Sequence, residues 1–145
     1  MKISFWDFYS IFDKEYSKVI KQAAEETGLS VNEISILLFL ANNPSVDTAA
    51  DIMRIRKTAK SHISLAVSRL TEKGCLTQQP GPGRRIHLKI TPSAEPLIAI
   101  GREKQKQFSD RLFQNFSASE KEAFFSCFAH MIGNLREEDE PHGNR

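Results

Sequence analysis

The chain has 145 residues, of which 40% are hydrophobic and 26% charged, the size and composition of one globular domain. No apolar run reaches the roughly 18 residues that suggest a membrane-spanning helix, and acidic residues interrupt the N-terminal stretch where a signal peptide would be apolar. The sequence therefore predicts a cytoplasmic protein, with a single domain over residues 1–136 and a disordered tail at 137–145.

Charge is distributed unevenly along the chain. The net charge is +2, yet residues 52–91 hold nine Lys or Arg and only one acid, Glu72, which gives this segment +8 and leaves −6 for the rest. A basic block in an otherwise acidic protein is typical of a surface that meets a polyanion. The alternative is an ordinary solvated face, to which most charge runs belong.

Two helices are expected before the basic block. Residues 5–26 repeat aromatic and aliphatic side chains at three- and four-residue steps, and Gly28 stands where a helix-ending glycine belongs. This aromatic stripe either covers a core within one chain or docks onto a second copy. Ser30 and Glu33 have the spacing of a capping box, so a second helix, with apolar residues around most of its circumference, begins there.

A helix-turn-helix follows. Asp47 or Thr48 caps a short helix that directs Ala49, Ile52 and Met53 inward, and Thr58 is the expected cap of a longer helix that ends at Gly74. The buried stripe expected for this fourth helix contains Ala59, Ile63, Ala66, Val67 and Leu70.

The opposite face of the fourth helix carries small hydroxyls, basic residues and one exposed leucine. Hydroxyls allow close approach to a groove and hydrogen-bond phosphates or base edges, Lys and Arg neutralise phosphates, and a leucine can contact a thymine methyl group. An ordinary surface helix would instead pair Glu with Lys at four-residue spacing. We favour DNA recognition. His62, on the flank of this helix, is either a DNA contact or a plain surface histidine.

A β-hairpin is predicted next, with one strand at 76–79, a turn at Pro80–Gly83 and a second strand within 84–91. Arg84 and Arg85 lie at its tip beside glycines, a compact basic point suited to a minor groove. A merely solvated turn is the alternative. Two further helices complete the chain. One runs from Pro92 towards Phe116, and the other is capped by Ser117 with Glu120 or by Ser119 with Glu122.

The sequence carries no pattern typical of a catalytic or metal-binding site. The four histidines are scattered, and neither a phosphate-binding glycine loop nor a nucleophile elbow is present, so the sequence predicts a protein that is not an enzyme and needs no metal or other cofactor. Cys75 and Cys127 lie too far apart in sequence for a ligand motif, and both are expected to be small core residues.

The order of elements, together with "DIMRIRKTAKSHISLAVSRLTEKGCL" and "GRRIHLKIT" followed by "PSAEPL", resembles the MarR (multiple antibiotic resistance regulator) family. The resemblance implies a mainly α fold with a small β-hairpin, in which a winged helix-turn-helix core at 30–91 is flanked by dimerisation helices at 1–28 and 92–136. It also implies a homodimer that binds palindromic duplex DNA and is often released by a small ligand or by thiol oxidation. An aspartate that is usual in the family's wing is replaced here by Pro82 or Gly83. The redox-sensing members carry a reactive cysteine near the N-terminus, whereas no cysteine precedes Cys75 in this chain, so thiol sensing is not carried over.

The resulting hypothesis is a homodimeric transcriptional regulator, with repression favoured over activation. The fourth helix would enter the major groove and the wing the minor groove. The expected DNA contacts are Arg56, Lys57, Thr58, Lys60, Ser61, His62, Ser64, Leu65, Ser68, Arg69, Arg84 and Arg85. Phe12, Tyr16 and Leu38 would line an effector cleft. The alternative function is a winged-helix module whose basic patch docks an acidic protein.

Overall fold

The computed structural model describes residues 4–137, and the predicted tail lies outside the described residues except for the helical Glu137. The chain divides into two compact units, of which the first ends at Phe108 and the second begins at Ser109. In chain order the elements are α1 (Phe5–Thr27), α2 (Val31–Asn42), α3 (Ala49–Arg56), α4 (Lys60–Glu72), β1 (Leu76–Pro80), β2 (Ile86–Ile90), a 3₁₀ turn (Pro92–Ala94), α5 (Glu95–Leu112) and α6 (Ala118–Glu137).

Both early helices begin at capping boxes. Ser4 and Asp7 cap α1, and the left-handed Gly28 ends it with φ of 70°. The predicted Ser30 and Glu33 box caps α2, where the Ser30 amide donates to a Glu33 carboxylate oxygen at 2.9 Å. Seven residues of α2 are buried, as expected of a central helix.

The helix-turn-helix has the predicted elements with one local difference. Thr48, the second of the two candidates, caps α3. The expectation that Thr58 caps α4 is wrong, because Ala59 holds the cap position and no side chain caps this helix. The chain turns at Lys57, which adopts the left-handed φ of 50° directly after α3. The α4 helix therefore begins one residue later than the predicted cap implies.

The hairpin pairs β1 with β2 antiparallel, with Leu76 opposite Ile90 and Pro80 opposite Ile86. Its base joins the core through buried Leu76 and Leu88. A further bridge links Thr48 to His87, and the Leu88 amide donates to the Asp47 carbonyl oxygen at 2.6 Å. The wing is thus attached to the start of α3 as well as to its own partner strand.

The core of the first unit lies between α1, α2, α4 and the hairpin base, and it includes Ile34, Leu37, Ile63, Leu70 and Ile98. Two predicted core positions of the helix-turn-helix are wrong. Ala59 is exposed because it sits at the helix cap, and Met53 is 40% exposed because it lies at the edge of the contact between α3 and α4. Cys75 is buried, as predicted.

The second unit contains the end of α5, a short connection and α6. Ser117 and Glu120 form the first of the two predicted capping boxes, with the Glu120 amide donating to the Ser117 hydroxyl at 3.1 Å. Phe113 packs against Phe124 and Phe125 with ring centroids 5.3–5.4 Å apart. Cys127 is exposed, which corrects the expectation of a core residue, because it lies on an exposed face of α6 beside the exposed Phe125, Phe128 and Met131.

Among residues 4–137, no helix is both long and apolar enough to cross a bilayer. Within the same range no three His, Cys, Asp or Glu side chains cluster in a way that would hold a metal ion.

Candidate nucleic-acid interface

The α4 helix separates its two faces cleanly. Ile63, Ala66, Val67 and Leu70 are buried and fix the helix on the domain. The other face presents a set of exposed side chains predicted to contact DNA: Lys60, Ser61, His62, Ser64, Leu65, Ser68 and Arg69. Leu65 is 53% exposed, an unusual state for a leucine on a helix that buries so well on its other side. An exposed polar face with a single apolar side chain fits the width and chemistry of a major groove.

The turn before α4 places two more of the predicted residues at the helix N-terminus. Lys57 is exposed and left-handed, and the Thr58 hydroxyl donates to the Arg56 carbonyl oxygen at 3.4 Å. The first backbone amides of α4 receive no side-chain cap. Uncapped amides at a helix N-terminus favour anions, and phosphate is the anion that duplex DNA offers.

Arg56 is placed differently from the other predicted cations. Its guanidinium lies over the Phe39 ring, 5.5 Å from the ring centroid, so its side chain packs against α2. Arg56, Thr58 and His62 also line a small cavity of about 80 Å³ together with residues of α2. Arg56 therefore contributes charge beside α4 while part of its surface is engaged with the domain.

The wing tip is a five-residue loop between Pro80 and Ile86. Gly81 donates its amide to the Arg85 carbonyl oxygen at 2.8 Å, and Gly83 adopts a φ of 74° that favours glycine. Arg84 and Arg85 are both exposed. The glycines allow the loop to close tightly, so the two arginines stand at the end of the hairpin.

Asp51 on α3 is surrounded by groups that stabilise its charged form. The Thr48 hydroxyl lowers the pKa of Asp51 by hydrogen bonding, and Arg54 and Arg85 lower it further, which outweighs the opposing effect of its desolvation. Arg54 reaches this carboxylate at 3.3 Å. Arg85 thus lies near enough to α3 for its charge to act on the Asp51 carboxylate.

His87 and Asp47 fix the wing to the helix-turn-helix. The Nδ1 atom of His87 lies 2.8 Å from an Asp47 carboxylate oxygen. Sequence reasoning did not find this pair, because the two residues are 40 positions apart and His87 alternates in a strand like any outward residue. The pair gives the wing a defined orientation relative to α3.

The three residues predicted for an effector cleft are only partly brought together. Tyr16 and Leu38 line a cavity of about 80 Å³ between α1, α2 and α5, and the Gln105 amide donates to the Tyr16 hydroxyl at 2.8 Å. Phe12 does not line this cavity and instead packs on Tyr16 and Phe108, with ring centroids 6.0 and 5.3 Å away.

The structure contains a larger cavity that the sequence did not predict. It holds about 440 Å³ and lies between the end of α2, β2 and α5, with Leu40, Asp47, His87, Ile98 and Arg102 in its wall. Arg102 donates there to the Ala41 carbonyl oxygen at 2.9 Å. No local sequence pattern predicts this cavity, because the residues that line it come from three separate parts of the chain.

Three helices, a two-stranded wing and a long following helix define a winged helix-turn-helix protein. Residues 27–85 match the sequence model described as MarR family. Over this region the match confirms the resemblance stated in the sequence analysis.

Solved structures share the fold over nearly the whole chain. A transcriptional regulator of the MarR family from Silicibacter pomeroyi aligns with a TM-score of 0.78 and 18% identity, covering 95% of this chain and 91% of that one. MepR from S. aureus, solved as a DNA complex, gives 0.72 and 16%, with 92% and 99% covered. A MarR protein from Peptoclostridium difficile gives 0.74 and 16%, with 95% and 94% covered. No curated protein matches the sequence as a relative.

Proposed function

We propose that this protein is a cytoplasmic, homodimeric DNA-binding regulator of transcription that acts as a repressor. The observation that carries the proposal is the exposed face of α4, where hydroxyls, cations and Leu65 stand opposite a fully buried stripe. The +8 charge of residues 52–91 supplies attraction to a polyanion. The MepR complex with DNA supports the proposal, since MepR has this fold.

The α4 helix lies in the major groove. Ser61, Ser64, Leu65 and Ser68 face base edges, since they occupy the centre of its exposed surface. Lys57, Thr58 and Lys60, at the start of α4, bind phosphates together with the uncapped helix amides. His62 and Arg69 lie towards the flank of the face and contact the backbone there, with Arg56 adding charge beside them.

The wing reads the adjacent minor groove through Arg84. Arg85 contributes, after Thr48 and Arg54, to the lowered pKa of Asp51 on α3, and we assign the groove contact to Arg84, the other exposed arginine of the loop. A narrow minor groove has an enhanced negative potential that attracts arginine. This division of roles assigns one of the two arginines that the sequence alone left equivalent.

A second copy of the chain covers the apolar surfaces at both ends. Phe5, Trp6 and Tyr9 of α1 are exposed, Trp6 to 78%, and α6 exposes Phe125, Phe128 and Leu135. Such surfaces are rare on monomers and common at obligate interfaces. Two copies related by a two-fold axis would read a palindromic site. Light scattering at micromolar concentration tests this, and a monomer of 16.4 kDa would contradict it.

Selection of bound sequences from random duplex DNA tests the central proposal. We expect enrichment of an inverted repeat, bound with an affinity that falls steeply as salt rises. If no sequence is enriched and an acidic protein binds the same surface instead, the protein-docking function is the correct one.

Release by a small effector is part of the proposal. The 440 Å³ cavity adjoins β2, so a bound molecule there would bear directly on the wing, while Tyr16 and Leu38 offer the smaller alternative. Thermal-shift screening with phenolic and lipophilic compounds, followed by DNA release assays, tests whether an effector acts. Substitutions at Leu40 and at Tyr16 then distinguish the two cavities.

A further inference from the structure

A recess of about 190 Å³ opens between α3 and α4. Ala49, Ala50 and Met53 of α3 form one side, and Lys60, Ile63 and Ser64 of α4 form the other. Four of these six side chains are apolar, and Ile63, which is 1% exposed, forms the floor. Lys60 and Ser64 bring one positive charge and one hydroxyl to the rim.

The recess borders the surface that the proposed function assigns to DNA. Advancing about 100° per residue along α4, Ser64 lies about 40° from Lys60, and Ser61 and Ser68 follow within about 60° of Ser64. The recess therefore opens at one edge of the serine-lined face. Leu65 lies towards the opposite edge, about 100° from Ser64. The serine hydroxyls of α4 thus lie between the apolar recess on one side and the exposed Leu65 side chain on the other.

The occupant must be apolar at its tip and attached to a polyanion, because the recess is apolar and its surroundings are strongly basic. In the major groove of duplex DNA, the apolar group presented by the bases is the C5-methyl group of thymine. Met53 suits such a contact, since its unbranched thioether adapts to an irregular space.

We propose that this recess receives a thymine methyl group in each operator half-site, so that α3 takes part in sequence readout through Met53. The inference rests on the proposed DNA-binding function and adds a specificity residue outside α4. It assigns a role to the residue that the sequence had placed in the core. Leu65 contacts a different position of the site, because it lies on the other side of the serines.

Replacing thymine by deoxyuridine removes the methyl group and leaves base pairing unchanged. In duplexes carrying the selected site, substitution at one thymine per half-site should weaken binding by about three- to tenfold, the loss expected when a methyl group leaves an apolar contact. Titration of the full-length protein, one substituted position at a time, measures this directly.

Met53→Ala tests the assignment and Ile55→Ala is its matched control. Both residues lie on α3 and are similarly exposed, at 40% and 45%, but Ile55 does not line the recess. In Met53→Ala the thymine and deoxyuridine duplexes should bind alike at that position, whereas Ile55→Ala should keep the discrimination. Unfolding curves confirm that both variants fold.

Two results would overturn the inference. Operator binding that tolerates deoxyuridine at every position would refute it, as would a discrimination that Met53→Ala leaves intact, for example one lost only in Leu65→Ala. Both results leave sequence-specific binding in place, so they differ from failure of the proposed function, in which no operator is selected at all and the inference falls with it.

Discussion

Lys73 and Glu33 form an ion pair that joins the end of α4 to the beginning of α2, with the Lys73 Nζ atom 2.6 Å from a Glu33 carboxylate oxygen. Glu33 is 1% exposed and also accepts a hydrogen bond from the Ser30 amide. Burial raises the pKa of Glu33, but the hydrogen bonds from Lys73 and Ser30 outweigh that effect and hold the pKa below its ordinary value of 4.5. One carboxylate thus caps α2 and fixes the C-terminal end of the proposed recognition helix.

Glu33→Gln should destabilise the protein by about 1–3 kcal/mol near neutral pH, because a charge-assisted hydrogen bond within the fold is lost. A carboxyl whose folded pKa is lowered stabilises the fold above its unfolded pKa, and this contribution disappears as pH falls through the folded pKa. The difference between wild type and variant should therefore shrink below about pH 4.5. Urea unfolding at a series of pH values measures it.

Glu72→Gln is the control for that experiment. Glu72 is an exposed acid at the end of α4, so its substitution should change the unfolding free energy by less than about 0.5 kcal/mol at either pH. A constant gap between wild type and Glu33→Gln down to pH 3 would show that the ion pair is not the source of the effect.

Of the two contacts made by Glu33, the local sequence predicted the one with Ser30 but not the one with Lys73. Ser30 and Glu33 are three residues apart, and a capping box needs only that spacing, so the start of α2 was predictable. Lys73 lies 40 residues away and reaches Glu33 only after α2 and α4 have packed together. The same limit applies to His87 with Asp47, since a contact across the fold leaves no periodic signal in the chain.

Lys60→Ala and Arg84→Ala should each lower the salt dependence of DNA binding. If each side chain neutralises one phosphate, the slope of log K against log salt concentration should fall by about one unit. Both residues are exposed and belong to different elements, so their effects should add. Fluorescence anisotropy across a salt series measures the slopes.

Lys21→Ala is the control for these two variants, because it also removes one positive charge. Lys21 is an exposed residue of α1, outside the basic segment, and its removal should leave the slope within experimental error. Equal reductions from Lys21→Ala and Lys60→Ala would mean that overall charge, rather than contact at α4, governs binding.

Helical periodicity located the buried stripe of α4 but failed at its margins. The predicted burial is confirmed for Ile63, Ala66, Val67 and Leu70. Helix geometry alone places residues at three- and four-residue spacing on one face, whichever elements pack against it. Ala59 and Met53 were misplaced because burial at the edge of an element depends on where the helix starts and how far its partner extends. The DNA contacts predicted on the other face of α4 remain predictions, supported by the exposure of the side chains on that face.

Cys75 should resist thiol reagents in the native protein. It is 3% exposed, and burial raises the pKa of its thiol, with Lys73 opposing and Glu33 adding to the shift. Only the thiolate reacts readily, so both access and ionisation protect it. In a Cys127→Ser variant, which leaves Cys75 as the one thiol, labelling by a disulfide reagent should become fast only in denaturant. Native labelling at the denatured rate would contradict the buried position.

Asp47→Ala should weaken DNA binding by releasing the wing. The hydrogen bond between Asp47 and His87, at 2.8 Å, would be lost, while the backbone bond from Leu88 to the Asp47 carbonyl oxygen would remain. Because both side chains are partly solvated, global stability should fall by only about 1 kcal/mol or less. Amide exchange in β2 should quicken, and operator affinity should fall about three- to tenfold as the wing samples more orientations.

Removal of an acid also strengthens attraction to DNA, and Asp47→Asn separates that effect from the tether. Asparagine lacks the charge but keeps an oxygen that accepts from the His87 ring, so its affinity should equal or exceed that of wild type. If the wing acts through Arg84, Asp47→Ala should cost little in an Arg84→Ala background, because an oriented loop without its arginine has no groove contact to lose. Full additivity of the two substitutions would show that Asp47 acts on DNA binding by another route.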